Sequence, residues 1–176
     1  IEEMITIVPD EELTRNGLVR DDSDAEKVIK LFREEGVDGI IIGTPVYMHT
    51  VSAQTKAFMD RITSLVKSKF YPEMPIRVDF SKKVGGAIAV GFDRHGGIEH
   101  ALATIIHFFL SIDMIVVSGY VPTSYIGGAA WTMGRSAREL DAVKYDDLGL
   151  EAARQVGRRV AEIAKLIKIG MEHLKT

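Results

Sequence analysis

Two stretches hold the residue types that could do chemistry. Residues 43–52 read Gly-Thr-Pro-Val-Tyr-Met-His-Thr-Val-Ser, and residues 91–97 read Gly-Phe-Asp-Arg-His-Gly-Gly. Thr44, Thr50 and Ser52 offer hydroxyls, while Tyr47, Met48 and Phe92 are large and apolar where a connecting loop should meet water. The glycines allow a ligand to approach backbone N–H groups closely. Backbone donors suit the edge of a flat, partly polar heterocycle, and the apolar side chains suit its face. Turns also need Gly and Pro for their own geometry, so plain connectors are the competing reading of the same residues.

Other groups carry less. His49 and His95 lie in the two stretches, either as hydrogen-bonding groups beside a ligand or as ordinary loop polarity. His100 and His107 are two turns apart on an expected helix, but a metal needs further ligands, and no metal is expected. Asp146-Asp147 reads as the N-terminal cap of the last helix rather than as a carboxylate pair. Arg154, Arg158 and Arg159, with Lys165 and Lys168, read as a solvated helix face paired with Glu151 and Glu162. Trp131, in a Gly/Ala-rich segment, is a packing plug or a ligand or interface contact. No GxGxxG, phosphate-binding Walker loop, GxSxG elbow or HExxH occurs.

The elements that must position these residues alternate short β-rich runs with helical stretches. Residues 4–8 read as a strand, followed by a helix capped at Ser23 with Glu26 and closed by Gly36. Ile40-Ile41-Ile42 reads as a strand buried on both faces, followed by a loop over 44–51 and an amphipathic helix over 52–67 with Ala57, Phe58, Ile62, Leu65 and Val66 inward. Pro72 and Pro75 break the next stretch. Strands over 84–90 and 114–117 flank a helix over 98–111; residues 119–146 show no strong period; a final helix runs from 148 to 169, closed by Gly170. This alternation predicts a doubly wound, parallel α/β sheet with helices on both faces, in which ligands bind at the strand carboxyl ends, where both chemical stretches fall.

Composition bounds the rest. The 176 residues make one domain's worth of chain, and no linker divides it. Lys+Arg 22 against Asp+Glu 25, with no basic run, argues against nucleic acid as partner. No apolar run reaches the roughly 18 residues of a membrane helix. Zero cysteines exclude disulfides, thiolate metal sites, cysteine nucleophiles and Cys-ligated iron–sulfur clusters built from these residues. That fits a reducing compartment, and a cytoplasmic location is expected.

The run GTPVYMHTVSAQTKAFMDR (43–61) resembles the loop-and-helix signature of the flavodoxin-like, NAD(P)H-dependent FMN reductases and iron–sulfur flavoproteins. KKVGGAIAVGFDRHGGIEHALATIIHFFLSIDMIVVSG (82–119), GGAAW (127–131) and GLEAARQVGRRVAEIAKLI (149–167) are similar to the family's later blocks, in the same order. The resemblance implies a three-layer flavodoxin-like fold and an FMN bound along Thr44, Pro45, Val46, Tyr47, Met48 and Ser52. Gly91, Phe92, Asp93, Arg94, His95 and Gly97 would flank the ring. It implies that the flavin carries the redox chemistry from NAD(P)H to a small acceptor such as a free flavin or quinone, so no catalytic acid or base is nominated. In related flavoproteins the long loop before the last helix reaches a neighbouring subunit, which would put Tyr125, Gly127, Gly128 and Trp131 over the ring in a homodimer or homotetramer. Two departures stand out. The family's first strand and its phosphate loop are absent, so the domain is expected to be incomplete at its front, since the missing strand is central in the 2-1-3-4-5 order. The compact cysteine motif of the iron–sulfur branch would fall in residues 9–22, which contain no cysteine. A flavodoxin-like one-electron carrier and a flavin-free interaction domain on the same fold are the alternatives.

Overall fold

The computed structural model describes residues 30–31, 36–67, 78–135 and 138–174. The strand expected over 4–8, the Ser23 cap, residues 9–22, Pro72 and Pro75 lie outside the described residues, as do the side chains of Leu65 and Val66. Gly36 has φ +64°, the left-handed conformation expected of it. The chain divides into two compact units, residues 38–52 with 80–176 and residues 1–37 with 53–79.

The first unit is built on a parallel sheet. Its central strand is β3 (Val84–Gly91). Along one edge runs β1 (Gly39–Tyr47), in register from Gly39↔Val84 to Pro45↔Val90. Along the other edge lie two separate short strands, β4 (Ile115–Val116) against Val84 and Gly85, and β5 (Gly128–Trp131) against Ile88 to Gly91. Together they form one interrupted strand. β1 ends in a hairpin with the antiparallel β2 (Thr50–Val51).

Two helices close on opposite faces of β3, and glycines let them do so. A Cβ on Gly85 would lie 2.7 Å from the Phe109 ring of α2 (Ile98–Ser111). A Cβ on the next residue, Gly86, would lie 2.7 Å from Val156 and 2.8 Å from Val160 of α3 (Asp147–His173). Successive strand residues point to opposite faces, so this pair shows the three layers directly. The α3 side buries Val84, Val156 and Val160, with Ile88, Val117, Ile163, Ala164 and Ile167 packed around them. The α2 side buries Ala101, Leu102, Ile105, Phe108 and Phe109. The other unit contributes helix α1 (Ala53–Lys67), with Phe58, Met59 and Ile62 buried and Ala57 half-buried.

The structure corrects four expectations. The loop over 44–51 is instead the end of β1 and its hairpin partner. β1 is not covered on both faces: Ile42 is 3% exposed but Ile41 is 40% exposed. The α3 side chains Val160 and Ala164 stand over Gly39, where a Cβ would meet them, while Ile41 one pleat further on keeps solvent access. The connection over 119–146 contains β5, whose Gly-Ala-Ala-Trp sequence has no β-branched residue to mark it; it pairs because small residues fit beneath α3, with a Gly128 Cβ 3.1 Å from Ala153 Cα. Gly170 does not close the last helix. Its carbonyl accepts from Leu174 N–H at 3.1 Å, and a helical glycine costs only about 1 kcal/mol against alanine unless the backbone turns left-handed there.

Candidate functional site

The carboxyl ends of β1, β3 and β5 finish side by side, with Pro45 opposite Val90 and Val90 opposite Ala130. The candidate stretches begin at this shared rim. The first is a tight hairpin: Val46 pairs with Val51 and Tyr47 with Thr50, leaving Met48 and His49 as the turn. Both have positive φ, 46° and 73°. A primed two-residue turn demands this, and Asn-Gly is the usual solution; a side chain in that region costs on the order of 1 kcal/mol per residue. The Thr44 hydroxyl braces the hairpin from below, accepting from Ser52 N–H at 3.1 Å and donating to the Pro45 carbonyl at 2.8 Å. Thr44 and Ser52 are buried, whereas Tyr47 is 61% and Met48 96% exposed. The hydroxyl that the sequence offered to a ligand is therefore engaged in holding the apolar tip out.

The second stretch is pressed against the first. Gly97 has φ +105°, and a Cβ there would lie 2.5 Å from His49 Cα and from the His49 carbonyl oxygen. The His49 and His100 rings sit 5.9 Å apart. Within the loop, Gly96 N–H donates to the Asp93 carbonyl at 3.2 Å. Phe92 is 45% exposed, and Asp93, Arg94 and His95 are exposed.

A third segment, Trp131 to Gly134, backs the second; the sequence reading assigned only Trp131 of it, as a cover from a neighbouring subunit. Thr132 N–H donates to the Gly91 carbonyl at 2.9 Å and Gly134 N–H to the Phe92 carbonyl at 3.0 Å. The Trp131 indole N–H donates to the same Phe92 carbonyl at 2.8 Å, and the Arg94 guanidinium lies 4.6 Å over the Trp131 ring. The Thr-Met-Gly turn after Trp131, with Met133 at φ 54° and Gly134 at φ 68°, was the available signal. Asp146 joins this segment to α3: one oxygen accepts from Trp131 N–H at 2.7 Å, the other from Gly149 N–H at 2.9 Å. It is the helix cap expected, with a second duty.

The structure therefore brings Thr44, Pro45, Val46, Tyr47, Met48 and Ser52 together with Gly91, Phe92, Asp93, Arg94, His95 and Gly97, and adds Trp131 from the same chain. Gly127 and Gly128 are buried under neighbours: a Gly127 Cβ would lie 2.6 Å from the Ala87 carbonyl oxygen. Tyr125 is 70% exposed, on the insertion between β4 and β5. Ser124 clasps that insertion, accepting from Gly119 N–H at 3.0 Å and donating to the Gly127 carbonyl at 2.8 Å. Thr123 donates to Gln155 at 2.7 Å. The Tyr120 hydroxyl donates to Glu162, a bond that raises its pKa above the usual tyrosine value. Beside the site, Lys144 pairs with Glu139 at 2.7 Å and Asp141 at 3.0 Å; these bonds hold both carboxyls below their ordinary range and raise the lysine.

The donor set suits a flavin. Exposed apolar side chains ring a rim built from backbone and held rigid by backbone contact, the chemistry needed against a large flat heterocycle. It does not suit an iron–sulfur cluster: the sequence has no cysteine.

A parallel sheet with helices on both faces, its candidate site at the strand carboxyl ends, defines an α/β flavodoxin-like domain. The solved Trp repressor binding protein from Bacillus subtilis shares this fold at a TM-score of 0.50 and 23% identity, over 86% of this chain and 79% of that one. The sequence matches the family described as NADPH-dependent FMN reductase over residues 6–127, and the chain belongs to that family. An iron-sulfur flavoprotein of Methanocaldococcus jannaschii is 43% identical over 147 residues, 82% of this chain and 67% of that protein. An NAD(P)H dehydrogenase (quinone) of Paraburkholderia phymatum is 30% identical over 139 residues, 74% of this chain and 64% of that one. The chain spans 58% to 67% of the length of the first iron-sulfur flavoproteins it matches. No described helix is long and apolar enough to cross a membrane.

Proposed function

We propose that this chain is the FMN-binding part of an oxidoreductase that passes reducing equivalents from NAD(P)H to a small acceptor such as a free flavin or a quinone. The observation that carries this is the rim itself: Tyr47, Met48 and Phe92 stand exposed on two loops locked together at Gly97 and His49, at the level where three parallel strands end. Membership in the NADPH-dependent FMN reductase family supports the cofactor and the donor; similarity to a quinone dehydrogenase supports the acceptor class.

FMN, when bound, supplies the hydride-accepting ring. The chain's own residues position it. Thr44 and Ser52 fix the hairpin, so that Tyr47 and Met48 present apolar surface without losing order. Phe92 offers a second apolar contact from a loop whose carbonyl is pinned by Trp131. In a homodimer or homotetramer the exposed Tyr125 insertion would cover the ring of a neighbouring subunit. The test is direct. The purified protein, mixed with FMN and desalted, should keep flavin absorbance near roughly 450 nm. A colourless protein after that treatment would sink the reading and leave a flavin-free interaction domain.

A further inference from the structure

Arg94 is a cation that the fold places but does not neutralise. Its guanidinium lies 4.6 Å over the Trp131 ring, and Trp131 is itself fixed by its indole bond to the Phe92 carbonyl, its backbone bond to Asp146 and the pairing of β5 with β3. Several other cations among the described residues meet carboxylates: Arg154 and Arg158 with Glu151, Arg159 with Glu162, Lys168 with Asp38, Lys144 with Glu139 and Asp141. Arg94 has no carboxylate partner among the described residues. Asp93 is its chain neighbour without pairing with it, and both oxygens of Asp146 already accept backbone N–H groups.

The choice of partner matters chemically. Indole is a hydrogen-bond donor with no acceptor, so a guanidinium held over its ring keeps its own N–H groups unspent. Arginine's planar fork is the side chain best matched to a phosphate, which it binds through two parallel charge-assisted bonds. A fork already held in place loses less rotamer freedom on binding. The loop that carries it also carries Phe92 and abuts the Tyr47–Met48 hairpin, so a ligand with its flat ring at that rim has Arg94 beside it.

Building on the flavin-reductase reading above, we propose that Arg94 binds a phosphate group of the nicotinamide nucleotide cosubstrate, with Trp131 as the platform that holds it. The phosphate is either the 2′-phosphate that marks NADPH or the pyrophosphate common to both nucleotides. Calorimetric titration of the FMN-loaded protein with adenosine 2′,5′-bisphosphate and with ADP separates these. Arg94→Gln should weaken binding of at least one probe by roughly tenfold to a hundredfold, the scale of a lost charge-assisted contact. Arg94→Lys, which keeps charge without the fork, should lose less. Loss confined to the 2′,5′-bisphosphate assigns the 2′-phosphate; equal loss with ADP assigns the pyrophosphate. Unchanged affinity for both probes in Arg94→Gln, or no binding of either by the parent, overturns the proposal while leaving the flavin reading intact. Release of FMN by Arg94→Gln also overturns it, because the guanidinium then serves the flavin. If the parent retains no FMN yet binds a probe through Arg94, the flavin reading falls and the phosphate contact stands.

Discussion

Gly97 is where two loops far apart in sequence become one surface. Its φ of +105° and the 2.5 Å approach of a would-be Cβ to His49 backbone atoms leave no room for any side chain. Gly97→Ala should lower stability by roughly 2–4 kcal/mol and separate the loops, with FMN affinity falling alongside the melting temperature. That a glycine was needed here was legible from the Gly-Gly pair; that it is needed by a histidine 48 positions earlier was not, because no local pattern encodes a tertiary backbone contact. The same limit applied to Thr44, whose hydroxyl looked available in the sequence and proves to be bonded to Ser52 and Pro45. The Lys144 cluster offers a test with a definite sign. Glu139 and Asp141 have folded pKa values below their unfolded ones, so their contribution is present above the ordinary carboxylate range and is lost as pH falls through the lowered values. Lys144, raised, keeps its contribution below the ordinary lysine value and loses it only at strongly alkaline pH. Lys144→Met should return both carboxyl titrations upward, read by carboxyl NMR, with little change in stability because the groups are solvent-exposed and screened.

Among the elements, α3 and the strand β5 stand or fall together through Asp146. A capping residue alone contributes about 1 kcal/mol. Here the second oxygen holds the Trp131 backbone as well, so Asp146→Ala strips the helix of its cap and the rim of its third segment. The expected loss is about 2 kcal/mol in urea unfolding. Because Trp131 is the only tryptophan, its emission should shift in the folded variant, which a pure capping defect would not cause. The cap was legible from Asp146-Asp147 ahead of an amphipathic run, as were the helix over 98–111 and the strand from Val84, whose apolar residues mark them locally. β5 was not, since its small residues are chosen for the helix above and carry no strand signature. The hairpin was hidden for a related reason: Met-His is an unusual pair for a primed turn, and only the surrounding bonds reveal that it forms one.

For the molecule as a whole, family and fold could be read from the order of four sequence blocks, because the ligand rim of such a sheet is written in its βα loops. What distinguishes an enzyme from an electron carrier on this fold is the encounter with a nucleotide. The FMN-loaded protein, mixed anaerobically with NADPH or NADH, should bleach within the mixing experiment; persistence of the yellow colour would give the one-electron carrier instead. The interrupted strand has a bearing of another kind. β4 and β5 each find their register on β3 independently, and Ser124 fastens the two ends of the segment between them. Chain added inside that clasped segment, at Val121 with its 71% exposure, lies outside both half-strands, and loop closure grows costlier by only about 0.6 kcal/mol per doubling of length. The domain thus carries a natural grafting port, where a reporter or a new binding loop can be spliced in while the sheet keeps its alignment.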